Sequence, residues 1–178
     1  MASLPWVWGA SPDEIAAEYP CDRFVAGPAV ACFRAVDSAG DPETVFRWLC
    51  QLKVAPYSYD LLDNRGKPSP RTLTPGLDDL AIGQQVMTIF RLVDFIPGRQ
   101  LTLELRNARG LFGDLAVTYT VLPAANGSRL VVKMVLAADP GPLNAVRREL
   151  LSWGDLVMMR KQLRTLATLA ERTPAVRP

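Results

Sequence analysis

Two tyrosines, an arginine and a glutamate have the residue types and positions that best fit chemistry on a small molecule. Tyr57 and Tyr59 share one face of a short predicted strand, Tyr57 to Leu62, and tyrosine combines an apolar ring with a polar tip. Arg91 stands among apolar residues of a longer predicted strand. It therefore faces either solvent or an interior where it needs a partner, such as Glu104 or an acidic ligand. Ordinary sheet packing is the simpler interpretation of both tyrosines.

The remaining candidates lie on later strands and on the last helix. Glu104 and Arg106 alternate with leucines, so the solvent face of a strand is their simplest position. Tyr119 alternates with apolar residues and is expected inside. Trp153 and Met159 belong to a helix whose apolar stripe is wide. They either line a cavity or pack as ordinary core residues, and the sequence leaves both interpretations open.

The chain contains no histidine, which removes the commonest general acid–base and metal ligand. A serine–histidine or cysteine–histidine nucleophile is therefore excluded. The sequence has no GxSxG elbow, P-loop, GxGxxG loop or spaced cluster of metal ligands. No cofactor or metal is expected, and the catalytic residues of any reaction stay unknown. An enzyme is not excluded, because tyrosine, arginine, aspartate and water can carry out enolisation chemistry.

Composition indicates a globular protein rather than a nucleic-acid-binding or membrane-spanning one. The 178 residues are 49% apolar and 21% charged, enough for one domain with a real core. A net charge of +2 argues against a nucleic-acid partner. The adjacent basic pairs Arg147-Arg148 and Arg160-Lys161 both fall on the last predicted helix. A solvated helix face explains them more simply than an anion or membrane patch.

The cysteines give no framework for disulfides. Cys21, Cys32 and Cys50 are odd in number and lack paired spacing. No secretory signal is recognised at residues 1–10, and no apolar stretch is long enough to span a bilayer. We therefore expect reduced thiols, a cytoplasmic location, no stable membrane insertion, and a monomer or homodimer.

The predicted elements follow a simple order. Residues 1–28 are expected to form an extension, a strand follows at 29–37, and Asp41-Pro42 starts a short helix. Four strands lie between residues 84 and 138, the first of them a long one over Gln84 to Ile96. A helix of about 30 residues closes the chain, from Leu143 to Arg172. Within it, Gly154 indicates either tight packing or room for a ligand.

This order, together with several motifs, resembles the START/Bet v 1-like (SRPBCC) helix-grip superfamily, in its bacterial polyketide cyclase/dehydrase-like branch. The motifs are WGASPDEI, CFRAVDSAGDPETVFRWLCQL, YSYDLLDN and DDLAIGQQV, and the likeness runs from Trp8 to about Arg172. One departure lies between Gln51 and Tyr57, where a glycine-rich, aromatic insert is missing, so the rim of a pocket is expected to differ.

The resemblance implies an α+β helix-grip fold: a curved antiparallel sheet wrapped around a long C-terminal helix, with an internal cavity. It implies one domain over residues 1–178, with residues 1–28 packed on a core of residues 29–172. The function it favours is binding of a hydrophobic or aromatic small molecule, lipid or polyketide-like, as carrier or sensor. Two alternatives remain: a cyclase/aromatase-like enzyme, and a structural or interaction domain with a filled cavity.

Overall fold

A computed structural model describes residues 4–60, 66–107, 113–138 and 140–174, apart from the side chain of Leu143. Within these ranges the chain forms seven strands and three α-helices. They are β1 (Val7–Trp8), α1 (Pro12–Ala16), β2 (Ala29–Ser38), α2 (Pro42–Cys50), β3 (Gln85–Val86), β4 (Phe90–Ile96), β5 (Gln100–Leu105), β6 (Leu115–Ala124), β7 (Gly127–Ala137) and α3 (Pro142–Arg172). Two short 3-10 helices, Pro20–Arg23 and Gln51–Lys53, complete the description.

The first two helices begin where local chemistry predicts. Ser11 accepts a hydrogen bond from the Glu14 backbone N–H, and the Glu14 carboxylate accepts one from the Ser11 N–H. This capping box satisfies two donors that a helix start otherwise leaves free. Asp41 caps α2 through the Thr44 N–H at 2.9 Å, and a proline follows each cap.

The sheet is mostly antiparallel and open, with the strand order β1-β2-β7-β6-β5-β4-β3. Only β1 pairs in parallel, with Val7 opposite Phe33. The β6–β7 hairpin turns through Ala125 and Asn126, and Gly127 follows with φ of 128°. A Cβ at Gly127 would lie 2.2 Å from the carbonyl oxygen of Ser38, so this position requires glycine.

The inner face of the sheet packs on α2 and α3. Alternate residues of β5, β6 and β7 point to this side and join Trp48, Leu49, Leu163 and Leu166 in one core. The two helices therefore cover the concave side where β2, β7 and β6 lie.

The outer face of the sheet carries a second, smaller core. Tyr19, Cys21 and Val25 from the N-terminal segment pack there against Phe33 and Val131. Because both faces of the central strands are covered, β6 and β7 are apolar on both sides. That double burial explains why alternation alone does not identify the inner face of these strands.

The predicted long strand over residues 84–96 is wrong: the segment forms two strands, β3 and β4, that pair with each other. Met87 and Thr88 turn the chain between them with φ of 47° and 59°. A bulge between Leu92 and Asp94 interrupts the alternation further. The strand predicted from Tyr57 is also wrong over its described residues, because Tyr57 has φ of 56°. Residues 61–65 lie outside the described ranges.

The last helix is confirmed as a single long element, but its N-terminal half is less buried than its composition indicates. Val146, Leu150, Trp153 and Val157 are 45–68% exposed. Among the described residues, no atom lies within 4 Å of a Cβ added at Gly154, so tight packing against them does not explain this glycine. Among the described helices, none is long and apolar enough to cross a bilayer.

Candidate functional site

A cavity lies between the inner face of the sheet and α3. It consists of two adjoining chambers of about 360 and 320 Å³, which share the lining residues Ile89, Phe90, Met134, Asp155 and Met158. The β3–β4 turn supplies one wall, β7 the floor and α3 the roof. Cavities of this size accept small organic molecules, and burial of apolar surface supplies most of their affinity.

The first chamber is almost entirely apolar over its described lining. Leucines from β5, β6, β7 and α3 surround it, and Asp155 is the polar residue among the lining residues that the structure describes. Gly154 also lines this chamber. Because nothing lies near its absent side chain, this glycine leaves space at the chamber wall.

The second chamber contains a fixed polar group built from β6 and α3. The Tyr119 hydroxyl donates to Oε1 of Gln162 at 3.0 Å, and Nε2 of Gln162 donates to the Pro56 carbonyl at 2.7 Å. Both side chains are buried. Burial raises the pKa of Tyr119, so its phenol stays protonated and acts as a hydrogen-bond donor.

A buried ion pair connects the cavity to β2. Nη2 of Arg34 lies 2.9 Å from Oδ2 of Asp155, with the Arg34 side chain 1% exposed and that of Asp155 17% exposed. Nη1 of Arg34 donates to the carbonyls of Trp6 and Phe33, both at 2.9 Å. The arginine is thus fixed from behind, and Asp155 presents its carboxyl to both chambers.

The position of Asp155 alters its acidity. Removal from water raises the pKa of Asp155 to about 6, although the positive charge of Arg34 opposes that change. A carboxyl with such a pKa exchanges protons near neutral pH, as a general acid or base must. The negative charge of Asp155 also raises the pKa of Tyr119, so these two groups of the second chamber interact electrostatically.

Of the tyrosines considered from the sequence, only Tyr119 lines the cavity. Tyr57 is buried against Trp48, with ring centroids 5.9 Å apart at an edge-to-face angle of 85°. Its hydroxyl has no hydrogen-bond partner among the described residues, and burial raises its pKa to about 12. Tyr59 is 41% exposed on the other side of the same segment, where it lines a surface groove.

The structure places Arg91, Glu104 and Trp153 outside the cavity. Arg91 is exposed, because its neighbours Phe90 and Leu92 take the inward positions of β4. Glu104 lies on the outer face of β5 and pairs with Arg106 at 3.0 Å. Trp153 is 45% exposed on α3. A ligand in the described cavity would not contact these three side chains.

Three polar residues of the site escaped sequence reasoning: Arg34, Asp155 and Gln162. A signal for two of them exists in the chain. Arg34 is the lone charge inside the apolar strand segment at 30–36, and Asp155 is the lone charge between Leu150 and Met159. An isolated charge in an apolar run needs a partner when the run is buried. Their pairing across 121 positions, however, follows only from the fold.

The described residues contain no group of three or more histidine, cysteine or carboxylate side chains placed to hold a metal ion. Cys21, Cys32 and Cys50 are buried free thiols, as expected from their spacing. Burial raises the pKa of Cys50 to about 12, which keeps it a thiol. Asp155, Tyr119 and Gln162 line the cavity, and Arg34 pairs with Asp155 from outside the lining.

The fold can now be compared with known structures. The chain is similar to the Zhui aromatase/cyclase from Streptomyces sp. R1128, with a TM-score of 0.52 and 13% identity over 82% of this chain and 95% of that one. It is also similar to the di-domain ARO/CYC StfQ from the steffimycin biosynthetic pathway, with a TM-score of 0.50 and 14% identity over 80% of this chain and 51% of that one. A protein from Rhodobacter sphaeroides gives a TM-score of 0.50 at 16% identity, over 80% of this chain and 95% of that one.

The chain has the helix-grip fold. The resemblance inferred from WGASPDEI and the later motifs is thereby confirmed at the level of the fold. No family model matches the sequence, and no curated protein matches it. The helix-grip neighbours include aromatase/cyclases. What this chain does must be argued from its own cavity.

Proposed function

We propose that the protein binds a hydrophobic or aromatic small molecule in the cavity between the sheet and α3, as a carrier or sensor. The observation that carries this proposal is that the cavity lining is mostly apolar and contains few polar groups. The described lining of the first chamber is apolar apart from Asp155, so burial of apolar surface would supply affinity and one carboxyl would orient the ligand. The volumes of about 360 and 320 Å³ suit a ligand of drug-like size.

Native mass spectrometry of freshly purified protein tests this function. A discrete added mass that disappears on denaturation, and that solvent extraction recovers, is the expected result. The matched control is the Leu136→Arg variant, which places a charge in the floor of the first chamber, beside the Leu136→Ile variant, which keeps it apolar. The added mass should persist with isoleucine and disappear with arginine. Equal occupancy in both variants, with both folded by circular dichroism, would refute binding in the chamber.

A second candidate function is cyclase/aromatase-like catalysis on a carbonyl compound. The observation that favours it is Asp155, a carboxyl at the cavity wall with a pKa raised to about 6 and a cation, Arg34, 2.9 Å away. In this role ionised Asp155 would remove a proton from carbon next to a ketone. The Tyr119 hydroxyl would turn from Gln162 and donate its hydrogen bond to the resulting enolate oxygen instead. The proton then returns from Asp155 to carbon or oxygen, so the step is balanced without a cofactor.

Hydrogen–deuterium exchange at the central carbon of 1-phenyl-1,3-butanedione, followed by NMR, tests the catalytic candidate. Wild-type protein should accelerate exchange over buffer, with a rate that rises as Asp155 ionises near pH 6. The Asp155→Asn variant should exchange at the buffer rate. Asp79→Asn is the control, because Asp79 is exposed and does not line the cavity. A purely structural Arg34–Asp155 pair predicts the buffer rate for all three proteins.

A further inference from the structure

A second concave site lies on the outside of α3, apart from the cavity. This basic groove, of about 580 Å³, is formed by the C-terminal half of α3 together with Tyr59 and the segment around residue 71. It shares no lining residue with either chamber. Five of its lining residues are cationic: Arg71, Arg160, Lys161, Arg164 and Arg172.

The described lining of the basic groove carries positive charge without acidic residues beside it. No aspartate or glutamate is found among the lining residues that the structure describes. Among the described residues, none of the five groove cations forms an ion pair, whereas Arg23, Arg34 and Arg129 each reach a carboxylate within 3.2 Å. Five positive charges thus gather in one concave surface of a chain whose net charge is only +2. A concave surface of one sign focuses the field and attracts anions.

Two carboxylates that adjoin groove residues in the sequence accept hydrogen bonds from groups outside the groove. Asp60, next to Tyr59, accepts hydrogen bonds from the backbone N–H and the hydroxyl of Ser69. Glu171, next to Arg172, accepts a hydrogen bond from the Ala39 backbone N–H at 3.1 Å. Both acids therefore have partners outside the basic groove, and neither lines it.

Two of the groove cations are held in place by an aromatic ring. The guanidinium carbons of Arg160 and Arg164 lie 5.5 and 5.4 Å from the centre of the Trp8 ring. A cation–π contact restricts a long side chain but leaves its N–H donors and its full charge available. Trp8 is tied to the body through the pairing of β1 with β2. Two guanidinium groups are consequently presented together, with less conformational freedom than isolated surface arginines.

The arrangement differs from a solvated helix face, which is how the sequence alone explains Arg160-Lys161. Helical spacing would produce a convex stripe on α3, but Arg71 comes from a separate segment and also lines the groove. Val157, Leu169 and the 41% exposed ring of Tyr59 add apolar surface between the charges. Guanidinium groups bind phosphate oxygens through paired N–H donors, which a cluster of three arginines on one helix and one opposite can supply.

We propose that the basic groove is a binding site for a phosphate-type dianion, with the arginines as ligands and the Tyr59 ring against the attached organic group. The phosphate is carried either by the headgroup of an anionic lipid or by a free phosphorylated small molecule. The described lining of this site shares no residue with that of the cavity.

Titration with inorganic pyrophosphate, followed by backbone amide NMR shifts, tests the free-anion source. Sedimentation with phosphatidylcholine vesicles, with or without phosphatidic acid, tests the lipid source. The variants are Arg164→Glu on α3 and Arg71→Glu on the opposite wall. Arg99→Glu is the matched control, since Arg99 is exposed in a turn and lies outside the groove. Removing a charge-assisted contact should weaken binding about tenfold or more in each groove variant and leave the control near wild type.

Each outcome of these binding experiments either supports one source of the phosphate or overturns the proposal. Saturable pyrophosphate shifts along α3 without vesicle binding assign the free phosphorylated molecule. Sedimentation that requires phosphatidic acid, and that pyrophosphate reverses, assigns the lipid headgroup. Absence of both, or equal losses in the groove variants and in Arg99→Glu, would overturn the proposal. Circular dichroism of all variants shows whether each is folded, and because the groove variants lie on two elements, failure of one to fold leaves the other as the test.

Discussion

At the residue scale, the protonation states of the two principal polar side chains of the cavity, Asp155 and Tyr119, are determined by different interactions. Asp155 gains a cation at 2.9 Å but loses more by leaving water, so the pKa of its carboxyl rises to about 6. The Tyr119 hydroxyl stays protonated and donates a hydrogen bond to Gln162. One group can change charge near neutral pH, and the other supplies a fixed donor.

The raised pKa of Asp155 predicts a pH dependence of stability. The ordinary value is 3.8, so between about pH 4 and pH 6 the folded protein holds a proton that the unfolded chain has lost. Stability contributed by this group therefore falls as pH rises across that window and is constant above it. The loss is about 3 kcal/mol, since one pKa unit corresponds to about 1.4 kcal/mol. Urea unfolding from pH 3.5 to 7.5 measures it.

The control for this measurement is Asp155→Asn, which cannot ionise. The difference in unfolding free energy between wild type and this variant isolates Asp155 from the other carboxyls, such as Glu14, whose pKa is lowered by Arg129. A difference that rises with pH would show that the attraction of Arg34 prevails over desolvation, contrary to our interpretation.

Two tyrosine substitutions are expected to act in opposite directions. Tyr119→Phe removes a buried hydroxyl that donates to Gln162 at 3.0 Å, and should destabilise the protein by about 1 kcal/mol. Tyr57→Phe removes a buried hydroxyl that has no partner among the described residues, and should be neutral or stabilise by up to about 1 kcal/mol. Thermal and urea unfolding of the two variants compare them directly. Equal destabilisation would show that the Tyr57 hydroxyl is satisfied.

At the scale of the elements, β2 and α3 are joined by the Arg34–Asp155 pair across the cavity. Breaking it from one side should cost about 3 to 5 kcal/mol, because a buried charge is left uncompensated. Arg34→Met with Asp155→Leu together should recover most of that loss, since an apolar pair of similar size needs no partner. Urea unfolding of both single variants and the double variant measures this. A double variant no more stable than Arg34→Met would mean that the pair organises the fold beyond its own charge balance.

Glycines on two elements predict contrasting effects of one added methyl group. Gly154 lies in the interior of α3 with open space around its missing Cβ, so Gly154→Ala should stabilise by about 1 kcal/mol through helix propensity. Gly127→Ala meets backbone atoms at 2.2 Å and has φ of 128°, so it should destabilise by several times that amount. Thermal unfolding of both variants checks the contrast. If Gly154→Ala destabilised, the tight-packing interpretation of this glycine would return.

The helices and strands also show which features of the fold can be predicted from the sequence. The cap at Asp41, the strict alternation in β5 and the long α3 rest on local chemistry and were predicted correctly. The predictions of a long strand at 84–96 and of a strand beginning at Tyr57 were wrong. Tyr57, Met87 and Thr88 adopt positive φ, which their residue types do not indicate. Arg91 lies on the outer face because Phe90 and Leu92, on either side of it, take the inward positions of β4. The site residues Arg34 and Asp155 were missed because their pairing is a property of the assembled fold.

At the scale of the whole molecule, the cavity lies where α3, a helix of 31 residues, passes over β5, β6, β7 and the turn between β3 and β4. Near its C-terminal end α3 packs on β2 and α2, and toward its N-terminal end the two chambers open beneath it. Four apolar residues of that half, at positions 146, 150, 153 and 157, are exposed. The part of the helix that gives up burial is therefore the part that roofs the proposed binding site.

Filling the space under α3 should then separate binding from folding. Met158 lines both chambers, so Met158→Trp should fill the region they share and weaken ligand binding about tenfold or more. Overpacking costs about 1 to 3 kcal/mol in a filled core but little where the side chain enters empty space, so the free energy of unfolding should change by less than about 1 kcal/mol.

Val146→Trp is the matched control, because Val146 is 60% exposed on the same helix and outside both chambers. Fluorescence titration with the hydrophobic probe 1-N-phenylnaphthylamine measures binding in both variants. If Met158→Trp bound the probe as tightly as Val146→Trp, the binding site would lie elsewhere than under α3. If it unfolded instead, the chambers would be closed in solution, and a filled interior would replace the cavity as the description of this protein.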